Sequence, residues 1–294
     1  MAYPSEDLGW QGDLLDLDAY LERIGYEGDR APTLEALRAL QLAHVTAMPF
    51  ENLEIVLGRP VLLGVEAVQE KMVRHRRGGY CFEHTELFAA ALERFGFTFA
   101  PLAARVSMGA EKLLPATHAV ALVEAGGERW ICDVGFGAGP LEPLPLTDGV
   151  RSRQGGWAYE LHRLGPELGG LTGVEHWELV QEGPRGRVRR HTFPIAPAYR
   201  IDYDLGNYYI STSLRSPFTR RIFCQRYGPD FHHELDGARL ISTLADGGAG
   251  SVEERVLEPG EVPKILATLF GIELDAADAA ALVSHLEDRL EGSS

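Results

Sequence analysis

Cysteine is scarce in this chain: Cys81, Cys132 and Cys224 are the only three in 294 residues, and no two form a Cys-x-x-Cys pair. That scarcity excludes a disulfide framework and a zinc ribbon and points to a reducing compartment, where a thiol stays free. Positive charge is also short, with 28 Lys and Arg against 43 Asp and Glu, a net charge of -15 and a pI near 5.1. Such a surface does not gather nucleic acid or anionic membrane, so an anionic ligand would need a local basic patch. No apolar run approaches the length of a membrane span. The opening residues MAYPSEDLGW are acidic and polar, unlike a signal or transit peptide, so a cytoplasmic protein with no membrane partner is expected. No internal repeat or low-complexity tract interrupts the chain, and Gly247-Gly248-Ala249-Gly250-Ser251 reads as a loop. Nothing in the pattern sets an oligomeric state.

Hydrophobic residues make up 45% of the chain, enough for one large core or two or three packed modules. Residues 1–96 read as helical. Leu14, Leu17, Leu21 and Ile24 share a stripe with Tyr20 beside it, Pro32 and Thr33 start a second helix, and a third, over 82–95, places Phe82, Leu87, Phe88, Ala91, Leu92 and Phe95 mainly on one face before Gly96. Residues 97–207 read as short strands, at 97–106, 118–123, 130–134, 157–161 and 177–180, with Gly126-Gly127 as a hairpin turn. Their number and spacing suggest a small antiparallel barrel or sandwich. Residues 208–294 are mixed, ending in helices over 262–269 and 276–290, with Asp275 as a cap for the second.

Chemistry concentrates at Cys81, in Arg77-Gly78-Gly79-Tyr80-Cys81-Phe82-Glu83. Two glycines lead into a helix start, where the helix dipole favours a thiolate, and Arg74, Arg76 and Arg77 add positive charge. An isolated cysteine is usually core packing; this one has the setting of a nucleophile. His118 follows, and then Asp133 in Asp133-Val134-Gly135-Phe136-Gly137. A turn centred on Gly126-Gly127 places residue 133 opposite 120, on the face shared by His118. One hairpin then holds a His–Asp pair, and Cys81, His118 and Asp133 form a nucleophilic triad. Cys132 points to the opposite face and, like Cys224, reads as packing. His232-His233-Glu234 has no second ligand pair at helical spacing and reads as a surface loop rather than a metal site. Arg185, Arg187, Arg189 and Arg190, and separately Arg220, Arg221 and Arg226, are basic runs that either meet phosphate or form solvated faces.

On these residues, together with Pro49-Phe50-Glu51-Asn52-Leu53, Thr117-His118 and the run from Asn207 to Phe218, the chain resembles the arylamine N-acetyltransferases. The resemblance implies an α+β fold: an N-terminal helical bundle (1–96) carrying the nucleophile, an antiparallel β-barrel (97–207) carrying His and Asp, and a C-terminal α/β lid (208–294). The catalytic core is similar to cysteine proteases and transglutaminases. It further implies ping-pong transfer of acetyl from acetyl-CoA to an arylamine, arylhydrazine or N-hydroxyarylamine, without metal. Thr117, Gly137, Tyr209, Arg215 and Phe218 match positions near CoA, and Phe136 and Thr117 positions near the acceptor. The chain departs from the family pattern at His84-Thr85, where many members carry Asn at the second position, and Ala138 is a residue that would alter the pocket rim. Three rivals share the pattern: an amide synthase closing an ansamycin-type macrolactam, a thiol hydrolase, and a non-enzymatic module that keeps only the fold.

Overall fold

A computed structural model describes residues 9–166, 171–245 and 250–291. Most of the 247–251 loop therefore lies outside the described residues.

The chain begins with α1 (Leu17–Ile24) and α2 (Leu34–Ala47), whose first turns are capped by the Asp16 and Thr33 side chains. A short strand β1 (Phe50–Glu51) and helices α3 (Leu53–Val56) and α4 (Val65–Gln69) lead, through a π turn over Glu70–Arg74, to α5 (Cys81–Phe95). The apolar stripe forecast for α5 understates its burial. Glu83, His84, Thr85 and Glu86 are buried too, and only Glu93 and Arg94 reach solvent. A helix enclosed on all sides tolerates those polar residues only because each finds a hydrogen-bond partner.

Eight antiparallel strands follow: β2 (Thr98–Val106), β3 (His118–Ala125), β4 (Glu128–Cys132), β5 (Leu144–Pro145), β6 (Val150–Gln154), β7 (Trp157–Arg163), β8 (His176–Gly183) and β9 (Gly186–Pro194). Their order is β5-β4-β3-β2-β9-β8-β7-β6. The two outer strands come together where the Gln154 amide spans the backbone of Glu142, with both contacts at 3.0 Å, so the sheet is a nearly closed barrel. Trp157, Tyr159, Trp177, Leu179 and Phe193 fill it, and Ala138 is buried among them rather than on a pocket rim.

Helix α6 (Arg200–Thr212) runs through position 207. Beyond it lie β10 (Phe223–Tyr227), β11 (Phe231–Asp236), β12 (Arg239–Leu244) and β13 (Ser251–Val256), then α7 (Val262–Ile265) and α8 (Ala276–Glu291). The His232-His233-Glu234 run is therefore strand, not loop, and the pleat sends its two histidines to opposite faces. His232 bonds Gln225 and His233 bonds Ser242. Strand β1 joins this second sheet by pairing Phe50 with Gln225 and Glu51 with Cys224. Gly79, just before the nucleophile helix, bridges to Phe50 of β1 and is thereby tied to the C-terminal sheet. Cys132 and Cys224 are both core residues. Among the described residues no helix is long and apolar enough to cross a membrane.

Candidate active site

Cys81 is the first residue of α5, at the junction of helices, barrel and second sheet, packed with Phe50, Tyr80, Phe82, Ala119 and Tyr203. Close backbone approach holds it there. A Cβ on Gly78 would fall 2.1 Å from the Pro49 carbonyl oxygen, and one on Gly135 would fall 2.6 Å from the Cys81 Cα. No side chain fits at either point. Glu83 closes the helix start by accepting the Tyr80 N–H at 3.1 Å, and its other oxygen takes the Lys71 ammonium at 2.7 Å. Two of the three arginines expected to add positive charge are paired with acids. Arg77 pairs with Glu51 at 2.9 Å and Glu54 at 3.2 Å, and Arg74 pairs with Glu70 on the surface.

The β3–β4 hairpin has the register read from its turn: Ala121 pairs with Cys132, so Asp133, one step past β4, faces Val120. His118 Nε2 lies 3.0 Å from Asp133 Oδ1, and Cys81 is close enough to the same ring to raise its proton affinity. Cys81, His118 and Asp133 are all buried. Burial alone would strip His118 of its proton, but the Asp133 carboxylate and Cys81 outweigh it and push the imidazolium up to about 10. Burial likewise opposes the Asp133 charge, yet His118 and a second histidine, His191, hold its carboxyl well below the usual range. His191 Nε2 sits 2.8 Å from Asp133 Oδ2.

The residues expected near CoA and acceptor are only partly gathered. The Thr117 carbonyl oxygen is 3.5 Å from Cys81 Sγ. Phe136 sets its ring edge-on to His118 at 5.1 Å, while the Arg190 guanidinium covers that ring at 5.2 Å. Gly137 packs against Gln225 of β10. Phe218 touches Phe50, Tyr80 and Phe223, and Tyr209 joins the same cluster, whereas Arg215 is exposed. The basic run on β9 is mostly spent on acids: Arg185 on Glu234, Arg187 on Glu160 and Arg189 on Glu178. Arg221 pairs with Asp236, and Arg220 bonds the Leu214 carbonyl. Arg190 bonds Gln181 instead of a carboxylate.

At His84-Thr85, the Thr85 hydroxyl donates to the Ala119 carbonyl at 3.3 Å, beside His118. His84 Nε2 meets the Pro49 carbonyl at 3.3 Å, and its Nδ1 meets His44 Nε2 at 2.9 Å. His44 Nδ1 in turn meets the Tyr20 hydroxyl at 2.8 Å.

Two residues of the site escaped the sequence reading. Asn52 was legible only as part of a motif; its amide donates to the Phe218 and Arg221 carbonyls and accepts the Phe223 N–H at 2.7 Å, tying this segment beside Cys81. His191 carried one signal, its alternation with Phe193 in β9, which marks an inward face but not a partner.

The N-acetyltransferase family model matches residues 33–279. Arylamine N-acetyltransferase of Mycolicibacterium smegmatis is 35% identical over 286 residues, covering 93% of this chain and 99% of that protein. The crystal structure of Nocardia farcinica arylamine N-acetyltransferase superposes with a TM-score of 0.89 at 50% identity, covering 96% of this chain and 98% of that one. Mycobacterium marinum arylamine N-acetyltransferase in complex with CoA superposes with a TM-score of 0.82 at 30% identity, covering 93% and 99%.

Proposed function

Because the chain belongs to the arylamine N-acetyltransferase family, we propose that it moves acetyl from acetyl-CoA to an aromatic amine through a thioester on Cys81, with His118 and Asp133 completing the machinery. The observation that carries the assignment is one buried imidazole bonded to Asp133 at 3.0 Å, with the Cys81 sulfur held 3.5 Å from the carbonyl of the adjoining Thr117.

Each residue has work that its position supports. The Cys81 thiolate attacks the acetyl carbonyl. Its own backbone N–H, in the first turn of α5 and so without an intrahelical partner, would hold the developing oxyanion. CoA leaves as its thiol, carrying off the proton that His118 held, and acetyl stays on Cys81. That step leaves His118 neutral. His118 then takes a proton from the incoming amine while Asp133 stabilises the imidazolium. An aryl amine suits this sequence because its conjugate acid is weak, and the free base is present at neutral pH. Phe136, edge-on to His118, offers apolar contact for the aryl ring. The amide synthase and hydrolase readings find no support in the relatives, which are named as arylamine N-acetyltransferases.

Intact-protein mass after brief mixing with acetyl-CoA tests this reading. One acetyl group should appear, disappear on adding an arylamine, and never form on Cys81→Ala. Acetylation of the Cys81→Ala protein would overturn the assignment.

A further inference from the structure

The Asp133 carboxylate is shared. His118 takes Oδ1 at 3.0 Å and His191 takes Oδ2 at 2.8 Å, and the two imidazoles lie 5.0 Å apart, centre to centre. An ionised carboxylate only accepts, so both Nε2 atoms carry protons. The opposite nitrogen of His191, Nδ1, is buried with no partner among the described residues. A proton placed there would be a buried charge with nothing to accept from it, so the ring is held neutral in the Nε2–H form. Burial also lowers the proton affinity of His191, outweighing Asp133, and His118 and Arg190 add to the lowering. These three are the charged groups that face the ring.

Strand β9 delivers His191 through an irregularity. Register passes from Leu179–His191 to Val180–Arg189, which leaves Arg190 unpaired. A bulge of this kind re-aims side chains. Here Arg190 and its neighbour His191 both reach Phe136, at 5.2 Å and 5.6 Å.

We propose that His191 is a positioning residue for the acetyl transfer: a permanently neutral histidine whose Nε2–H clamps Oδ2 of Asp133 and so keeps Oδ1 turned to His118. The proposal rests on the Cys81–His118–Asp133 assignment. Without the clamp, Asp133 can rotate away, and His118 loses the counter-charge that keeps it protonated.

Single-turnover acetylation and 15N-histidine NMR on full-length protein test it. His191→Phe, which keeps a ring but has no donor, should acetylate Cys81 about 10- to 100-fold more slowly. In that variant His118 should lose its proton well below the wild-type value of about 10. His191→Gln, which restores an N–H without a titrating ring, should recover the rate to within about fivefold and restore the His118 titration. In wild type, His191 should stay neutral and Nε2-protonated from pH 5 to 9. A His191→Phe variant with unchanged rate and His118 titration overturns the proposal, as does a folded His191→Gln as impaired as His191→Phe. Should His191→Phe fail to fold, the wild-type spectrum still decides: an Nδ1-protonated or charged His191 overturns the clamp. Failure of the triad reading looks different, since Asp133→Asn would then also acetylate at the wild-type rate.

Discussion

Two pairs of buried histidines make contacts at the nucleophile helix, and they do opposite things. His118 and His191 share a carboxylate. His44 and His84 bond each other, the Tyr20 hydroxyl and the Pro49 carbonyl. Burial is complete in both places, so the difference lies in what else is buried. Asp133 lets burial be overcome, and His118 keeps a proton up to about 10. With no acid hydrogen-bonded to either ring among the described residues, burial wins at the second pair: His84 is pushed down to about 4 and His44 is held well below its ordinary value. The proton positions in the second pair then follow from one end. A carbonyl only accepts, so His84 donates to Pro49, His44 donates to His84, and Tyr20 donates to His44. That relay of neutral donors braces the backbone before Cys81, because Pro49 also accepts the Gly79 N–H at 3.3 Å. His118, which meets both Asp133 and Cys81, does chemistry, whereas His191, His44 and His84 stay neutral and hold the frame.

The comparison breaks first at the nucleophile. Cys81→Ala should abolish turnover, by about 10⁶-fold in kcat, with the thermal transition little changed. Asp133→Asn should come next. It converts the ionised pair toward the neutral type, and kcat for arylamine acetylation should fall by about 10⁴-fold.

His118 and His84 should respond to opposite ends of the pH scale. His118 has a folded value above its unfolded one, so its stabilising contribution is full below about pH 6.5 and is lost as pH rises through about 10. The stability gap between wild type and Asp133→Asn, measured by denaturant melts, should therefore narrow on the alkaline side. His84 has a depressed folded value, so the unfolded chain takes up its proton first as pH falls from about 6.5 toward about 4. His84→Leu should cost about 1–3 kcal/mol at neutral pH, because it leaves the His44 N–H without an acceptor. Its gap from wild type should narrow on the acid side, while the pH dependence of Cys81 acetylation stays that of wild type. A shift in that dependence would mean that the relay takes part in the chemistry. The smallest effect is expected at Arg215. If it meets a CoA phosphate, Arg215→Ala should raise KM for acetyl-CoA about threefold, less in high salt, with kcat unchanged.

What the sequence by itself determined is everything set over short range. The Gly126-Gly127 turn sets the β3–β4 register, and register alone puts His118 and Asp133 on one face. The Gly78-Gly79 step and the periodicity of α5 put Cys81 at a helix start. Five of the eight barrel strands and both terminal helices were legible for the same reason, since period and turn chemistry act within a few residues, whereas the strands of the second sheet were not. Tertiary structure decided what depends on partners remote in the chain. His191 reaches Asp133 from 58 residues away, and Asn52 reaches Phe223 across 171. Arg77 reads as a free positive charge beside the thiol until Glu51, on a separate strand, takes it. The polar side of α5 reads as solvent-facing until helices, barrel and second sheet enclose it. Whether a buried histidine is an imidazolium or a neutral brace belongs to this second class. The sign of the shift depends on which charges are desolvated together, and only the folded chain brings those charges into contact.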